Sequence, residues 1–158
     1  MRAPKPLLAV AFLAIALQMP GLAAARDIYP GPEQAKNDLA AALQSAAATH
    51  RRIIVDFGGN WCPDCHVLDL YFHDAANQPL LETNFVLVHV NIGRMDQNLD
   101  IVERCQIPLK KGVPALAVLD TDGKLIYSQK TGEFEDMRHM NSGAVTEFLT
   151  QWKLGAAG

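Results

Sequence analysis

The stretch IIVDFGGNWCPDCH, residues 53–66, runs from a buried-strand pattern straight into a closely spaced pair of cysteines. Ile53, Ile54 and Val55 are β-branched and, with Phe57, give RIIVDF (Arg52–Phe57) the composition of a central strand. Gly58-Gly59-Asn60 ends that run. Pro63 suits the first position of a helix and Asp64 its electropositive end. A helix is therefore expected to start near Cys62, with Val67, Leu68, Tyr71 and Phe72 as its apolar stripe. Cys62 then lies where free N–H groups favour a thiolate. Cys65, one turn deeper, can form or break a disulfide with it.

The hexapeptide WCPDCH admits other chemistries. C-x-x-C-H is also the attachment motif of c-type haem, with His66 as one axial ligand and Met95, Met137 or Met140 as the other. The strand before it and the βα pattern after it argue against a small helical cytochrome. Cys62, Cys65, His66 and Cys105 could instead bind zinc or cuprous copper, although no second C-x-x-C and no spaced His pair accompanies them. A purely structural disulfide is disfavoured, because a two-residue gap removes little loop entropy. These residues favour a redox dithiol, with a metal carrier as the alternative.

Residues 1–25 read as a secretory signal. Arg2 and Lys5 open it, Leu7–Leu17 form an apolar run, Met19-Pro20-Gly21 break it, and Ala23-Ala24-Ala25 precede a cleavage site after Ala25. The run of 11 residues is too short for a permanent anchor. One domain of residues 26–158 is expected, exported to the periplasm and free of the membrane after cleavage. Cleavage leaves 12 Lys+Arg against 17 Asp+Glu and no basic run, which argues against nucleic acid as a partner. Export places the cysteines in an oxidising compartment, where disulfides persist.

Further along, Arg26–Pro32 reads as a short polar lead and Glu33–His50 as an Ala-rich helix with Leu39 and Leu43 on its apolar face. FVLVHVNI (Phe85–Ile92) reads as a second buried strand, and Asn98–Cys105 as a short helix. Ala115–Gln129 reads as two strands around a tight turn at Asp122-Gly123. Ser142–Leu154 closes the chain with a helix whose Val145, Phe148, Leu149 and Trp152 share a face. The order is α-β-α-β-α-β-β-α, a crossover suited to parallel pairing followed by a hairpin.

On IIVDFGGNWCPDC (Ile53–Cys65), FVLVHVNI and GVPALAVLDTDGKLI (Gly112–Ile126), the chain resembles the thioredoxin family. That resemblance implies an α/β thioredoxin fold, a central mixed four-stranded β-sheet flanked by helices. It also implies a thiol–disulfide oxidoreductase with protein thiol and disulfide substrates, a redox partner protein, and neither cofactor nor metal. By the same resemblance Cys62 attacks and Cys65 resolves. Pro114 matches the cis-proline that faces the dithiol, and Val113 offers its backbone to a substrate strand. Trp61 packs beside Cys62 and shields it at the substrate surface. Asp56 matches the buried carboxylate beneath the resolving cysteine, and His89 falls where a lysine often lies beside it. Burial disfavours the charged form of Asp56, which suits a group that takes and returns a proton near neutral pH, unless a cationic His89 comes close enough to offset it.

The sequence also departs from the family pattern. Gly58-Gly59 replaces bulkier residues, and PLKK (Pro108–Lys111) and EDMRHMN (Glu135–Asn141) look like insertions. These departures are expected to bear on substrate recognition more than on the redox centre. The charge of Asp64 is expected to disfavour the Cys62 thiolate and to lean the chain towards reduction or isomerisation. Cys105 reads as a packed helix residue, His66 as an exposed residue of the second turn, and His50, His73 and His139 as surface residues without partners.

Overall fold

Strand β1 (Arg52–Gly58) is the centre of the computed structural model, which describes residues 26–155. The expected signal segment lies outside those residues. Ile53, Ile54, Val55 and Phe57 have no exposure, and burial of each such side chain contributes about 1.5–3 kcal/mol. On one side β1 pairs in parallel with β2 (Phe85–Asn91). On the other it pairs antiparallel with β3 (Ala115–Leu119), which pairs antiparallel with β4 (Leu125–Ser128). The sheet order is β2-β1-β3-β4, the mixed four-stranded sheet the sequence implied.

Successive residues of a strand serve opposite faces, and the two apolar clusters follow that rule. Ile53, Val55 and Phe57 of β1 join Ala115, Ala117 and Leu119 of β3 beneath helix α1 (Ala35–Thr49) and helix α4 (Leu99–Arg104). Ile54 joins Leu116 and Val118 beneath helix α2 (Pro63–Phe72) and helix α5 (Gly143–Trp152). Helix α1 buries Ala35, Leu39, Ala42 and Ala46, three of them alanines that let the helix lie close to the sheet. The hairpin forms at the expected place. Gly123 takes φ +82° and donates its N–H to the Asp120 carbonyl at 2.8 Å, a geometry that suits glycine.

Two expectations need correction. Strand β2 is not a second buried strand but an edge strand: Phe85, Val88 and Val90 are buried, while Val86, Leu87 and His89 are half-buried. An apolar run signals a strand without revealing whether a neighbour covers its outer edge. The sequence reading also lacked helix α3 (Gln78–Asn84), which buries Leu81 alone and so has no apolar stripe to reveal it. A buried asparagine ties down its start. Asn77 Nδ2 donates to the carbonyls of Tyr71 (2.8 Å) and Ser142 (3.2 Å), and its Oδ1 accepts from Thr146 Oγ1 (2.6 Å). No described helix is long and apolar enough to cross a membrane.

Candidate active site

The end of β1 delivers the chain to the N-terminus of α2, and Cys62 caps that helix. A helix start leaves N–H groups without intrahelical partners; here the Cys65 N–H donates to Cys62 Sγ at 3.1 Å. This donor strengthens when the sulfur is a thiolate. Cys62 and Cys65 form a disulfide with Cα atoms 5.3 Å apart. Cys62 is 3% exposed and Cys65 wholly buried, so the outer sulfur is the capping one. The Val113 carbonyl lies 3.7 Å from Cys62 Sγ, the Val113–Pro114 bond is cis, and both residues are buried. Trp61 is not a packed residue: it is 38% exposed, donates its indole N–H to the Gly93 carbonyl at 2.6 Å, and carries the Arg94 guanidinium 5.5 Å above its ring.

Asp64 corrects a larger expectation. Its carboxylate is buried rather than bare, because Arg138 donates from Nε to both oxygens (3.1 and 3.2 Å) and from its backbone N–H to Oδ1 (2.9 Å). Burial alone would push the Asp64 carboxyl up; the hydrogen bonds and charge of Arg138 outweigh it and hold the group below its ordinary value. Arg138 belongs to EDMRHMN, where Met137–His139 form a 3-10 turn with Met137 fully buried. That segment thus reaches the dipeptide between the cysteines, and the Asp64 charge that was expected to act on Cys62 is compensated.

On β1, two residues before Gly58, Asp56 is wholly buried. It is the register partner of His89 across the parallel β1–β2 pair, so the two side chains leave the sheet on one face. His89 Nδ1 lies 2.9 Å from Asp56 Oδ2, and its Nε2 lies 3.7 Å from Asp69 of α2. The close approach of His89 to Asp56 is therefore present. Burial on its own depresses the His89 imidazolium; the hydrogen bond and charge of Asp56, with Asp69 adding, overcome it and raise the His89 pKa above its ordinary value. A raised value adds stability that is full below about 6.5, the unfolded value, and is lost as pH rises through the folded one. The wild type is expected to lose stability from pH 7 to 9 more steeply than His89→Gln. Urea midpoints at constant ionic strength check this, and equal slopes for the two proteins would remove the ion pair.

Sequence reasoning missed Tyr29. The lead segment is not merely polar: Tyr29 is 2% exposed, and its hydroxyl donates to Asp56 Oδ2 at 2.6 Å. Asn60 holds it there, accepting the N–H groups of Ile28 and Tyr29 on Oδ1 and donating to the Tyr29 carbonyl, each at 2.9 Å. Asp56 Oδ2 thus takes two partners, while Oδ1 has none among the described residues. The available signal was Gly58. A Cβ there would fall 2.5 Å from the Tyr29 hydroxyl and 2.7 Å from Cys65 Sγ, so the volume that glycine leaves is filled by the phenol.

The remaining candidates separate. His66 is half-buried, with Nε2 2.9 Å from the Asn60 carbonyl. Cys105 is buried, and burial pushes its thiol up to about 11, so it stays protonated and inert. His73 and His139 are exposed as expected, but each has a carboxylate partner, Asp69 at 3.3 Å and Asp136 at 2.6 Å. Among the described residues no three His, Cys, Asp or Glu side chains are placed to share a metal ion.

Comparison with known proteins agrees with this geometry. A family model described as Thioredoxin-like matches residues 34–121. Thioredoxin-3 of Dictyostelium discoideum is 30% identical over 59 residues, 37% of this chain and 54% of that protein, so the match spans about half the length of that curated relative. Among solved structures, a disulphide isomerase from Xylella fastidiosa Temecula1 superposes with a TM-score of 0.76 at 30% identity, covering 81% of this chain and 98% of that one. A thioredoxin from Thermus thermophilus shares the fold at a TM-score of 0.52 and 22% identity, covering 78% of this chain and 83% of that one.

Proposed function

Because the chain belongs to the thioredoxin-like family, we propose that it is a thiol–disulfide oxidoreductase that reduces or isomerises protein disulfides through Cys62 and Cys65. The observation that carries this reading is the Cys65 N–H on Cys62 Sγ at the start of α2, beside the Val113 carbonyl. The Cys62 thiolate attacks a substrate disulfide, one substrate sulfur leaves as a thiolate, and a mixed disulfide forms. Cys65 then loses its proton and attacks Cys62 Sγ; the second substrate sulfur leaves, and the Cys62–Cys65 disulfide remains. Asp56, buried and with no partner for Oδ1 among the described residues, is the base that takes the Cys65 proton. Trp61, Val113 and Pro114 form the surface against which the substrate strand lies. A redox partner protein returns the pair to the dithiol.

Reduction and isomerisation are favoured over oxidation by the 30% identity to the disulphide isomerase of Xylella fastidiosa Temecula1. The compensated Asp64–Arg138 pair, by contrast, does not push the equilibrium as a bare carboxylate would. We place the work in the periplasm, on the pattern of residues 1–25. Fusing those residues to a reporter that needs disulfides to fold tests export: an inactive reporter retained in the cytoplasm rejects it. The activity is tested by insulin reduction with dithiothreitol as electron source and by reactivation of a scrambled multi-disulfide substrate. Rates no faster than dithiothreitol alone in both assays would reject the reading.

The insertion makes a separate prediction. Arg138→Gln leaves Asp64 buried without its cation, so the Cys62 thiolate is disfavoured. The Arg138 side chain is more than half exposed, which screens the effect. Alkylation of reduced Cys62 at neutral pH is expected to slow by about two- to fivefold, with the reduction potential moving to a more reducing value. Alkylation rates and potentials unchanged from wild type would uncouple the insertion from the redox centre.

A further inference from the structure

The Tyr29 hydroxyl and Cys65 Sγ flank the same point, the bare Cα of Gly58. Tyr29 reaches that point because Asn60, two residues before Cys62, grips the backbone of the lead segment on both its N–H and C=O sides. Asn91, at the end of β2, adds a hold on Pro30 at 2.8 Å. Two side chains from separate parts of the fold thus deliver one buried phenol to the buried carboxylate, in a segment that otherwise runs over the surface. A tyrosine needed only as apolar filling would not require its hydroxyl at 2.6 Å from Asp56 Oδ2.

We propose that Tyr29 is a positioning residue of the resolving step: its hydroxyl holds Asp56 Oδ2 and so orients the carboxylate, leaving Oδ1 to receive the Cys65 proton. This rests on the assignment of Asp56 as the base for Cys65. The S–H bond of Cys65 breaks and its proton passes to Asp56 Oδ1. The electron pair left on Cys65 Sγ forms the new bond to Cys62 Sγ, and the bond from Cys62 to the substrate sulfur breaks with its electrons going to the departing thiolate. Tyr29 keeps its own proton throughout. Burial, then the charge and hydrogen bond of Asp56, hold the phenol well above its ordinary value, so it remains a donor across the working range.

The groups that face Asp56 fix the sign of the pH effect. They are Tyr29 from the lead segment and His89 from β2, the latter also in the field of Asp69 and Arg26. From β3 the register partner is Leu116, which is apolar. Cys65 Sγ lies across Gly58 from the phenol. Tyr29→Phe removes one of two donors to the carboxylate and so disfavours the charged form that acts as base. His89 stays in place.

Rapid mixing of the reduced protein with an aromatic disulfide such as dithiobis-nitrobenzoate separates the two steps. The first thiol release reports Cys62 attack, and the second reports Cys65. In Tyr29→Phe the acidic limb of the second release is expected to move up by about one pH unit, about tenfold in rate on that limb, while the first keeps its profile. Replacing Tyr29 with 3-fluorotyrosine keeps the shape and strengthens the donor, so the limb moves the opposite way. This second variant decides the matter should the phenylalanine protein fail to fold. In an Asp56→Asn background the Tyr29→Phe shift should vanish. A second release unchanged in both Tyr29 variants while Asp56→Asn is slow overturns the role of Tyr29 and leaves the base standing. If Asp56→Asn is also unchanged, the base assignment falls and takes this inference with it. A Tyr29→Phe shift that persists in the Asp56→Asn background likewise overturns it, because the phenol then acts elsewhere.

Discussion

Cys62→Ser abolishes disulfide reduction, while Cys65→Ser keeps the first attack and accumulates mixed disulfides. The asymmetry follows from position on α2. Cys62 caps the helix, accepts the Cys65 N–H on its sulfur, and is the outer of the two. Its thiolate is therefore both stabilised and reachable. Cys65 has no exposure, and its sulfur faces Gly58 and Tyr29 rather than solvent. A serine at 62 has neither the acidity nor the nucleophilicity of a thiol. Reduction should fall to the background of the added reductant, a loss of at least ~10³-fold. In Cys65→Ser the mixed disulfide forms at a near-normal rate but has no internal route of release, so mass spectrometry after mixing with a disulfide substrate should find a stable adduct on Cys62. Alkylation of the reduced wild type that labels Cys65 faster than Cys62 would reverse the roles.

The fold was legible where the pattern was local and strong. RIIVDF names a strand through its β-branched run, and Asp122-Gly123 names a hairpin through the one residue able to take φ +82°. The alternation that splits β1 and β3 between two clusters is likewise a property of period two. What escaped was whatever the neighbours decide. The apolar composition of β2 is that of a strand, but its place at the edge depends on how the crossover through α2 and α3 lays it down. Helix α3 has one buried side chain, so tertiary anchoring by Asn77 rather than periodicity holds it.

The site divides the same way. Cys62, Cys65 and Asp56 sit on the strand–turn–helix segment itself, so their mutual placement is a short-range consequence of the sequence. His89 joins Asp56 through one register pair. Arg138 and Tyr29 arrive from 74 and 27 residues away in the chain, and no local pattern marks either. Arg138 was hidden in a segment that read as an insertion, which turned out to compensate the charge between the cysteines. Tyr29 was hidden in a lead whose residues 26–31 belong to no helix or strand. Gly58 was the legible half of that contact: a glycine in place of bulk beside a buried cysteine implies that another side chain fills the space.

Asp56→Asn slows the resolving step by about 10²-fold near neutral pH, the scale on which a general base contributes, and Cys62 alkylation changes far less. The effect on stability depends on pH. The wild-type carboxylate bears the cost of burial, partly offset by the Tyr29 hydroxyl and by His89. An amide removes the charge, and its oxygen still accepts from Tyr29 while its N–H₂ can donate to a neutral His89 Nδ1. That arrangement forfeits the imidazolium, whose raised pKa supports the fold at low pH and ceases to do so as pH rises. The mutant should therefore gain stability relative to wild type as pH goes from 6 to 8, and gain least at pH 6, where breaking the pair matters most. Rapid mixing with an aromatic disulfide and urea midpoints at the two pH values read the two effects separately. A second thiol release as fast as wild type would remove Asp56 from the chemistry. A slowing confined to the first release would place its influence on Cys62, and the orphaned Oδ1 would then need a different account.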